Sequence, residues 1–575
     1  LSQLVEREKA LVASGAVALN ELFGNEPGFG GPHNLLLDGG GFTTLNYIVG
    51  VNNLTNLRND LTAFVHNQSV LGNMYYAGPV TSASDGQWDF SALNGDMTFA
   101  GGFIFAGQDV NFHGTGNTTF GLAASFRRLN LQRQGTLYLP ANLSSQLHTN
   151  IASDVVVSNP GVTISAAAEF LNISGNISKL FQNSGLILNS PAPTTLGGSL
   201  ITLDSLGSDT TSTPAGDFEL TNPNAVITLG QGGLTIRDPG TVTLRGQITS
   251  TLGSINLIGG GTTILQANLT TPDTISILGN VNVQSNAAGL FAANFDLSDT
   301  ITGSGTLSVG PSESSRVIEL GNSYLDVSAL HFDQTFLNRI QMNVGSGLVF
   351  GSQSQSGDIV LNDSVLLSNN VTFLAPVAPA KIIVNASPII APGGTLTFTG
   401  SGNTLVLNAD LITEGVAITI NDSVLVNAAN IGIDTTHSGR SEGAAVTFNG
   451  PGGTFFNGDV GLVQALGTLD IYGGASTTIN ADIRTVGYQT YSGAVLVGGA
   501  AATHSLSSTG TITFLTTVAL AGNNLSVEAD QIDFSGLVTG PGTLYLRPAS
   551  DTQNVDVAVG APRPGALMIS QAELD

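Results

Sequence analysis

Residues able to do acid–base or metal chemistry are few and dispersed. Seven histidines are spread over 575 residues, and His113 and His148 stand apart from any partner motif. A metal centre or a nucleophile–His–Asp triad needs several such groups converging, and nothing in the spacing brings them together. Glycan hydrolysis needs two carboxyl groups held a few ångströms apart. The sequence has no Asp-Asp pair and no Gly-His-Gly, and Asp204, Asp217 and Asp238 sit singly among turn-forming residues. Cation ligation would need oxygen-rich loops. Asn362-Asp363 and Asn421-Asp422 recur in two copies of the phrase NDSVL and could offer oxygens to calcium, but the EF-hand loop and the glycine-rich calcium nonapeptide are both absent. Asx turns explain these pairs with less. The expectation is therefore no enzyme, no cofactor, and no residue assigned a catalytic, cofactor-binding or metal role.

Composition narrows the class further. Charged residues make up 10% of the chain, with 16 basic against 41 acidic side chains and a net charge of −25. No basic stripe exists to neutralise phosphates, so nucleic acid is excluded as a partner. Gly contributes 73 residues, and Ser, Thr, Asn and aliphatics fill most of the rest. Such a surface is made of amides and hydroxyls, which can stack on their own kind without like-charge repulsion. Cysteine is absent, which removes disulfides and thiolate sites and suits a large exported protein. No run of 18 or more apolar residues predicts a transmembrane helix. No leader of the basic-then-apolar kind opens the sequence, so any export signal is expected upstream or already removed. Twelve Asn-x-Ser/Thr sequons occur, among them Asn53, Asn172, Asn176, Asn268 and Asn524, a number that an Asn- and Thr-rich chain reaches by chance.

The elements that must position all this read as short strands. Residues 162–166 (VTISA), 225–230 (AVITLG), 242–246 (VTLRG), 255–259 (INLIG) and 275–279 (ISILG) alternate apolar and polar residues and end at Gly, Asn, Asp, Ser or Pro. Three longer phrases echo one another: GGGTTILQANLTT at 259–271, SGNTLVLNADLIT at 401–413 and GGASTTINADIRT at 473–485. In them Asp482 is matched by Asn268, so that position needs a turn former and not a charge. NDSVLL at 362–367 returns as NDSVLV at 421–426, and the 59-residue offset reads as three coils of about 20 residues. No helical pattern lies between the strands. The architecture predicted is all-β, a right-handed parallel β-helix, or β-solenoid.

Three segments are expected along it. Residues 1–24 hold a short N-terminal α-helix, with Ser2 as N-cap, Leu4, Leu11, Val12, Leu19, Leu22 and Phe23 at helical spacing, and Gly24 and Pro27 as stop signals. It would cap the sheet or serve assembly. Residues 25–150 form an aromatic-rich initiating β segment whose Phe, Tyr and Trp side chains are core filling rather than a sugar platform. Residues 151–575 form the repeat region.

With these residues in view, the chain resembles the repeat region of filamentous haemagglutinin-like bacterial exoproteins. The likeness is carried by INADIRTVGYQTYSGAVLVGG at 479–499, STGTITF at 508–514, GPGTLYLRP at 540–548 and GALMISQAELD at 565–575. It is good over residues 393–575, weaker over 151–392, and before 150 rests on composition. The resemblance implies a right-handed β-helix, export to the cell surface or medium, and an adhesive, filament-forming or matrix role. Expected partners are other copies of the chain, as a homo-polymer or end-to-end assembly, and cell-surface or extracellular glycans; the alternative reading is a β-helical polysaccharide-degrading enzyme or a glycan-binding protein. The family's NPNG-type secretion motif has only the similar Asn222-Pro223-Asn224-Ala225 here, deep in the chain. The phrase interrupted at Asp575 suggests a fragment of a longer or processed protein.

Overall fold

The computed structural model describes side chains from about residue 69 onward. Short gaps fall at 83–86, 209–215, 324–325, 344, 368–369, 387, 391–393, 414, 427–432, 436–443, 450–452, 462–464, 473–475, 500–502, 558–562, 564 and 571–575; before residue 67 only the backbone of short strands is described. The chain forms two compact units, Leu1–Asn282 with Phe295–Asp299, and Val283–Asn294 with Thr300–Asp575. Each is a parallel β-solenoid.

In the first unit one coil contributes three short strands, for example Val162–Ala166, Leu171–Ile173 and Ile177–Lys179. Each strand pairs in parallel with its counterparts one coil away, as in Leu131↔Ile151↔Ile173↔Leu196↔Leu220↔Leu244↔Leu265. All of these side chains point inward and are buried, so one strand face supplies a continuous aliphatic ladder at a rise of about 4.8 Å. Coils vary in length, from the short step between Leu139 and Val157 to the long one between Ser208 and Ile236, because turn length is free where strand register is not. The aromatics of the early coils, Tyr76, Trp88, Phe90, Phe99, Phe103, Phe105, Phe112, Phe120 and Phe126, are fully buried and stack on one another, with Phe99 and Phe120 centroids 5.4 Å apart. They are core, as their spacing predicts.

The outward and corner positions explain the Asn- and Asp-rich composition. On one outer face Asn111 donates to Asp89 (2.7 Å), Asn130 to Asn111 (3.1 Å) and Asn172 to Asn150 (2.8 Å). At the corners the side-chain oxygen of one coil accepts the backbone N–H of the next: Asn73 from Asp96, Asp96 from Asn117, and Asn117 from Thr136, at 2.7–2.8 Å. Short polar side chains are selected there because they complete the turn and tie neighbouring coils together. Arg133 plugs the same corner region. It is 3% exposed and donates to the carbonyls of Gly95 (2.6 Å), His113 (2.8 Å) and Gly116 (2.9 Å). Gly114 beside it has a φ of +122°, and a Cβ there would come within 1.9 Å of the Ala92 carbonyl oxygen and 3.2 Å of an Arg133 guanidinium nitrogen.

The second unit follows the same plan. Its inner ladders include the stacked rings of Phe350, Phe373 and Phe398, and of Tyr491, Phe514 and Phe534. Within TVGYQTY at 485–491, Thr485, Gln489 and Tyr491 form a buried polar corner. Gln489 donates to the Thr485 hydroxyl and to the Ser507 carbonyl, and the Tyr491 hydroxyl donates to Gln489. Asp482 receives the Ser505 N–H at 2.7 Å and gives its own N–H to Asp459. An acceptor is what that position requires, in line with its Asn counterpart. Phrases 401–413 and 473–485 are true equivalents: Leu407 and Ile479 are inward residues of one column three coils apart.

Two expectations are corrected. The NDSVL copies are not equivalent, because Leu361 pairs onward to Val384, Leu407 and Val426, whereas Ile420 belongs to the column of Phe350, Phe373 and Phe398. The copies lie on different faces, and the offset between them is not a whole number of coils. The helix expected over 1–23 lies mostly outside the described residues. Its described parts, Val17–Leu19 and Leu22–Phe23, are strands paired with Thr43–Leu45 and Ile48–Val51. Short apolar runs fit either period, and pairing to the next coil decides. Among the described residues the one helical turn is Gln334–Leu337, capped by Asp333 within an insertion between coils. None of the described helices is long and apolar enough to cross a membrane.

Candidate functional site

The residues singled out by chemistry stay apart. Asp204 is paired with Lys179 at 2.6 Å, Asp217 accepts the Thr241 N–H, and buried Asp238 accepts the Ser208 hydroxyl. Asn222 closes an Asx turn onto the N–H of Asn224. Asn362 stacks on Asn385, and Asp363 accepts both the N–H and the hydroxyl of Ser323, whose hydrogen bonds hold its carboxyl below the usual range. Asn421 bonds Thr399 and Asn449 on another face. The two Asn-Asp pairs therefore do not converge on a calcium site. Among the described residues no three His, Asp or Glu side chains are placed to hold a metal. The sequon amides of Asn172 and Asn524 are engaged in coil-to-coil bonds.

His113 lies 3.8 Å from Asp89 and is exposed. His148 belongs to a larger group. Its Nδ1 is 2.9 Å from Glu169 and its ring stacks on Phe170, with centroids 4.8 Å apart. Arg127 grips Asp109 through two nitrogens, and Arg128 bridges Asp109 and Glu169. Hydrogen bonds from His148, then from Arg128, hold the Glu169 carboxyl below its usual value. Both carboxylates are satisfied within the group, which reads as a tie across coils.

A different place breaks the rules of the fold. One outer column of the second unit runs Thr372, Thr397, Thr419, Thr447, Asp470, Thr490, Thr513, each in register with the next. Threonine suits such a column, being β-branched and able to stack without charge. Asp470 interrupts it with a carboxylate that is only 5% exposed, and its Oδ1 has no hydrogen-bond partner. Among the described residues no cation pairs with it. A buried carboxylate with one oxygen unsatisfied is a departure that the threonines of the column do not share.

The surroundings supply a reason. Thr468, two residues earlier on the same strand direction and about 7 Å away, also has a buried hydroxyl oxygen without a partner. Gly487 of the next coil lies against the Thr468 methyl, where a Cβ would come within 2.8 Å. Two tyrosines flank these atoms. Tyr488 gives its carbonyl to the Leu469 N–H and is 46% exposed, and Tyr472 is 58% exposed. The Tyr472 phenol is held above its usual pKa by the Asp470 charge first, then by burial and a hydrogen bond to that carboxylate, with a smaller contribution from Tyr488. A buried carboxylate and a buried hydroxyl thus lie beside two exposed tyrosines. Asp533, the nearest carboxylate along the column, is three coils away, about 14 Å by rise, beyond the span a pair of glycosidase carboxyls uses.

The sequence alone does not mark this site. A buried carboxylate among outward threonines is visible only once register is known, although Asp470 is a charged residue between Leu469 and Ile471 with an aromatic two positions on. Scans against protein-family models, curated proteins and solved structures match nothing.

Proposed function

We propose that the chain is a secreted, noncatalytic protein of the bacterial surface or extracellular matrix, an adhesin or filament subunit built on a right-handed β-helix. The group Thr468, Asp470, Tyr472 and Tyr488 forms its glycan-binding slot. The observation that carries this reading is the Asp470 carboxylate, buried without a counter-charge between exposed tyrosines in a threonine column. A site that violates the local pattern at a stability cost is where function is expected. A sugar ring offers hydroxyl donors to the carboxylate and an apolar face to a tyrosine. The Asp470 carboxylate and the net charge of −25 disfavour acidic sugars, so the ligand is neutral.

Binding of the full chain to a panel of neutral, sialylated and uronic-acid oligosaccharides tests this. Neutral members are expected to bind and acidic ones not. Tyr472→Ala and Tyr488→Ala should each weaken binding about tenfold, the scale of one lost aromatic contact. Preference for acidic oligosaccharides, or release of reducing ends from any of them, contradicts the proposal.

A further inference from the structure

A second outer column of the same unit is apolar. Val360, Ile383, Val406, Leu425, Phe455, Thr478, Leu496 and Ala519 are in register from coil to coil, and each lies between inward neighbours. All of these outward positions except Thr478 are apolar, with Phe455 43% and Leu496 40% exposed and the others half-buried by one another. The equivalent kind of column in the first unit carries Asp89, Asn111, Asn130, Asn150 and Asn172. Fold maintenance therefore does not require an apolar column. One border of the stripe is the hydrogen-bonded amide row Asn362, Asn385 and Asn408, which is neutral as well.

We infer that this stripe is a lateral contact between two copies of the chain. Three features select a second copy. Charges flank the stripe only at its start, where Glu319 is in register with Val360 and Asp358 and Lys381 precede Val360 and Ile383; from Val406 on both borders are uncharged, so two chains of net charge −25 can meet there without opposed like charges. Its side chains recur at about 4.8 Å, and only a partner with the same rise matches that spacing along the whole length, as sheets do when their faces interdigitate. Its dimensions fit a weak contact. Seven coil steps span about 34 Å, and a width of about 10 Å gives roughly 700 Å² buried in total, below the roughly 1,200–2,000 Å² of stable complexes. The pair forms reversibly and gains strength where many copies are crowded together.

Sedimentation equilibrium of the full chain from about 1 to 300 µM, at low and at high sodium chloride, tests the inference. Mean mass is expected to rise reversibly with concentration, and more at high salt because screening removes the repulsion between anions. The triple variant Leu425→Thr, Phe455→Thr, Leu496→Thr borrows the residue of the neighbouring column and should associate at least tenfold more weakly, with unchanged circular dichroism. Phe455→Thr alone serves if the triple variant does not fold, and should give a smaller loss in the same direction. A chain that stays monomeric at every concentration and salt overturns the inference, as does a variant that associates like the parent. Asp470→Thr, which affects only the glycan slot, should leave association unchanged.

Discussion

Lowering the pH from 8 to 5 is expected to stabilise the second unit by about 2–4 kcal/mol through one residue, Asp422. This side chain is 1% exposed in the strand Ala417–Val426, beside the irregularity in register between Thr399 and Thr404. Its Oδ1 accepts the Ser423 N–H, whereas its Oδ2 has no partner and lies against Gly400, where a Cβ would come within 2.1 Å. Burial pushes the carboxyl up from 3.8 to about 7, opposed only by the Ser423 hydrogen bond. The folded chain thus holds this proton more tightly than the unfolded one. The stabilisation is complete below about pH 3.8 and is lost as the pH rises through about 7. Acid also relieves general repulsion in a chain of net charge −25, so the parent curve alone is not diagnostic. Asp422→Asn isolates the effect: its thermal midpoint should exceed that of the parent at pH 8 and approach it at pH 5. A variant that retains the full pH dependence contradicts this assignment.

Replacing Arg133 should destabilise the first unit by about 3–5 kcal/mol. Its guanidinium holds three carbonyls from the two preceding coils, and burial lowers its pKa to about 10 even with Asp96 acting in the other direction. Arg133→Met removes the charge but leaves those carbonyls without their donors. Arg133→Lys keeps the charge on a single nitrogen that cannot reproduce a planar fork, and should recover less than half of the loss. Denaturant unfolding measures both, and amide exchange should place the weakened bonds in the strands Met97–Phe99, Phe103–Gly114 and Ala124–Arg133. If both variants unfold with the parent, the corner does not depend on the plug.

Much of this architecture was legible because strand alternation is a local property. The strands at Val162–Ala166 and Ile255–Leu257 fall where alternation and turn residues predict them. The phrases at 401–413 and 473–485 name one position in the coil, since an inward pair, an amide and an acceptor at the corner must recur together. The NDSVL copies misled because so short a strand phrase fits any face of a solenoid, and coil length varies with the turns. Val17–Leu19 and Leu22–Phe23 misled in another way, their apolar spacing being compatible with two periods. The slot was illegible for a physical reason. Asp470 is exceptional only against Thr447 and Thr490, which are each a full coil away along the chain and become neighbours through pairing alone. The segment 25–150 drew attention by its aromatics, yet those described rings are mostly core, and the exposed tyrosine pair lies far downstream.

Glycan binding at this slot requires that Asp470 be retained for a ligand and not for the fold. Asp470→Thr restores an unbroken threonine column, so it separates the two roles in one substitution. The decisive measurement is calorimetric titration of the parent and Asp470→Thr with the neutral oligosaccharide that binds the parent best, alongside thermal unfolding of both. Binding at least tenfold weaker, with a thermal midpoint equal to or above that of the parent, is the predicted result. Unchanged affinity in Asp470→Thr, or a large loss of stability with it, would contradict the assignment of this slot to glycan binding.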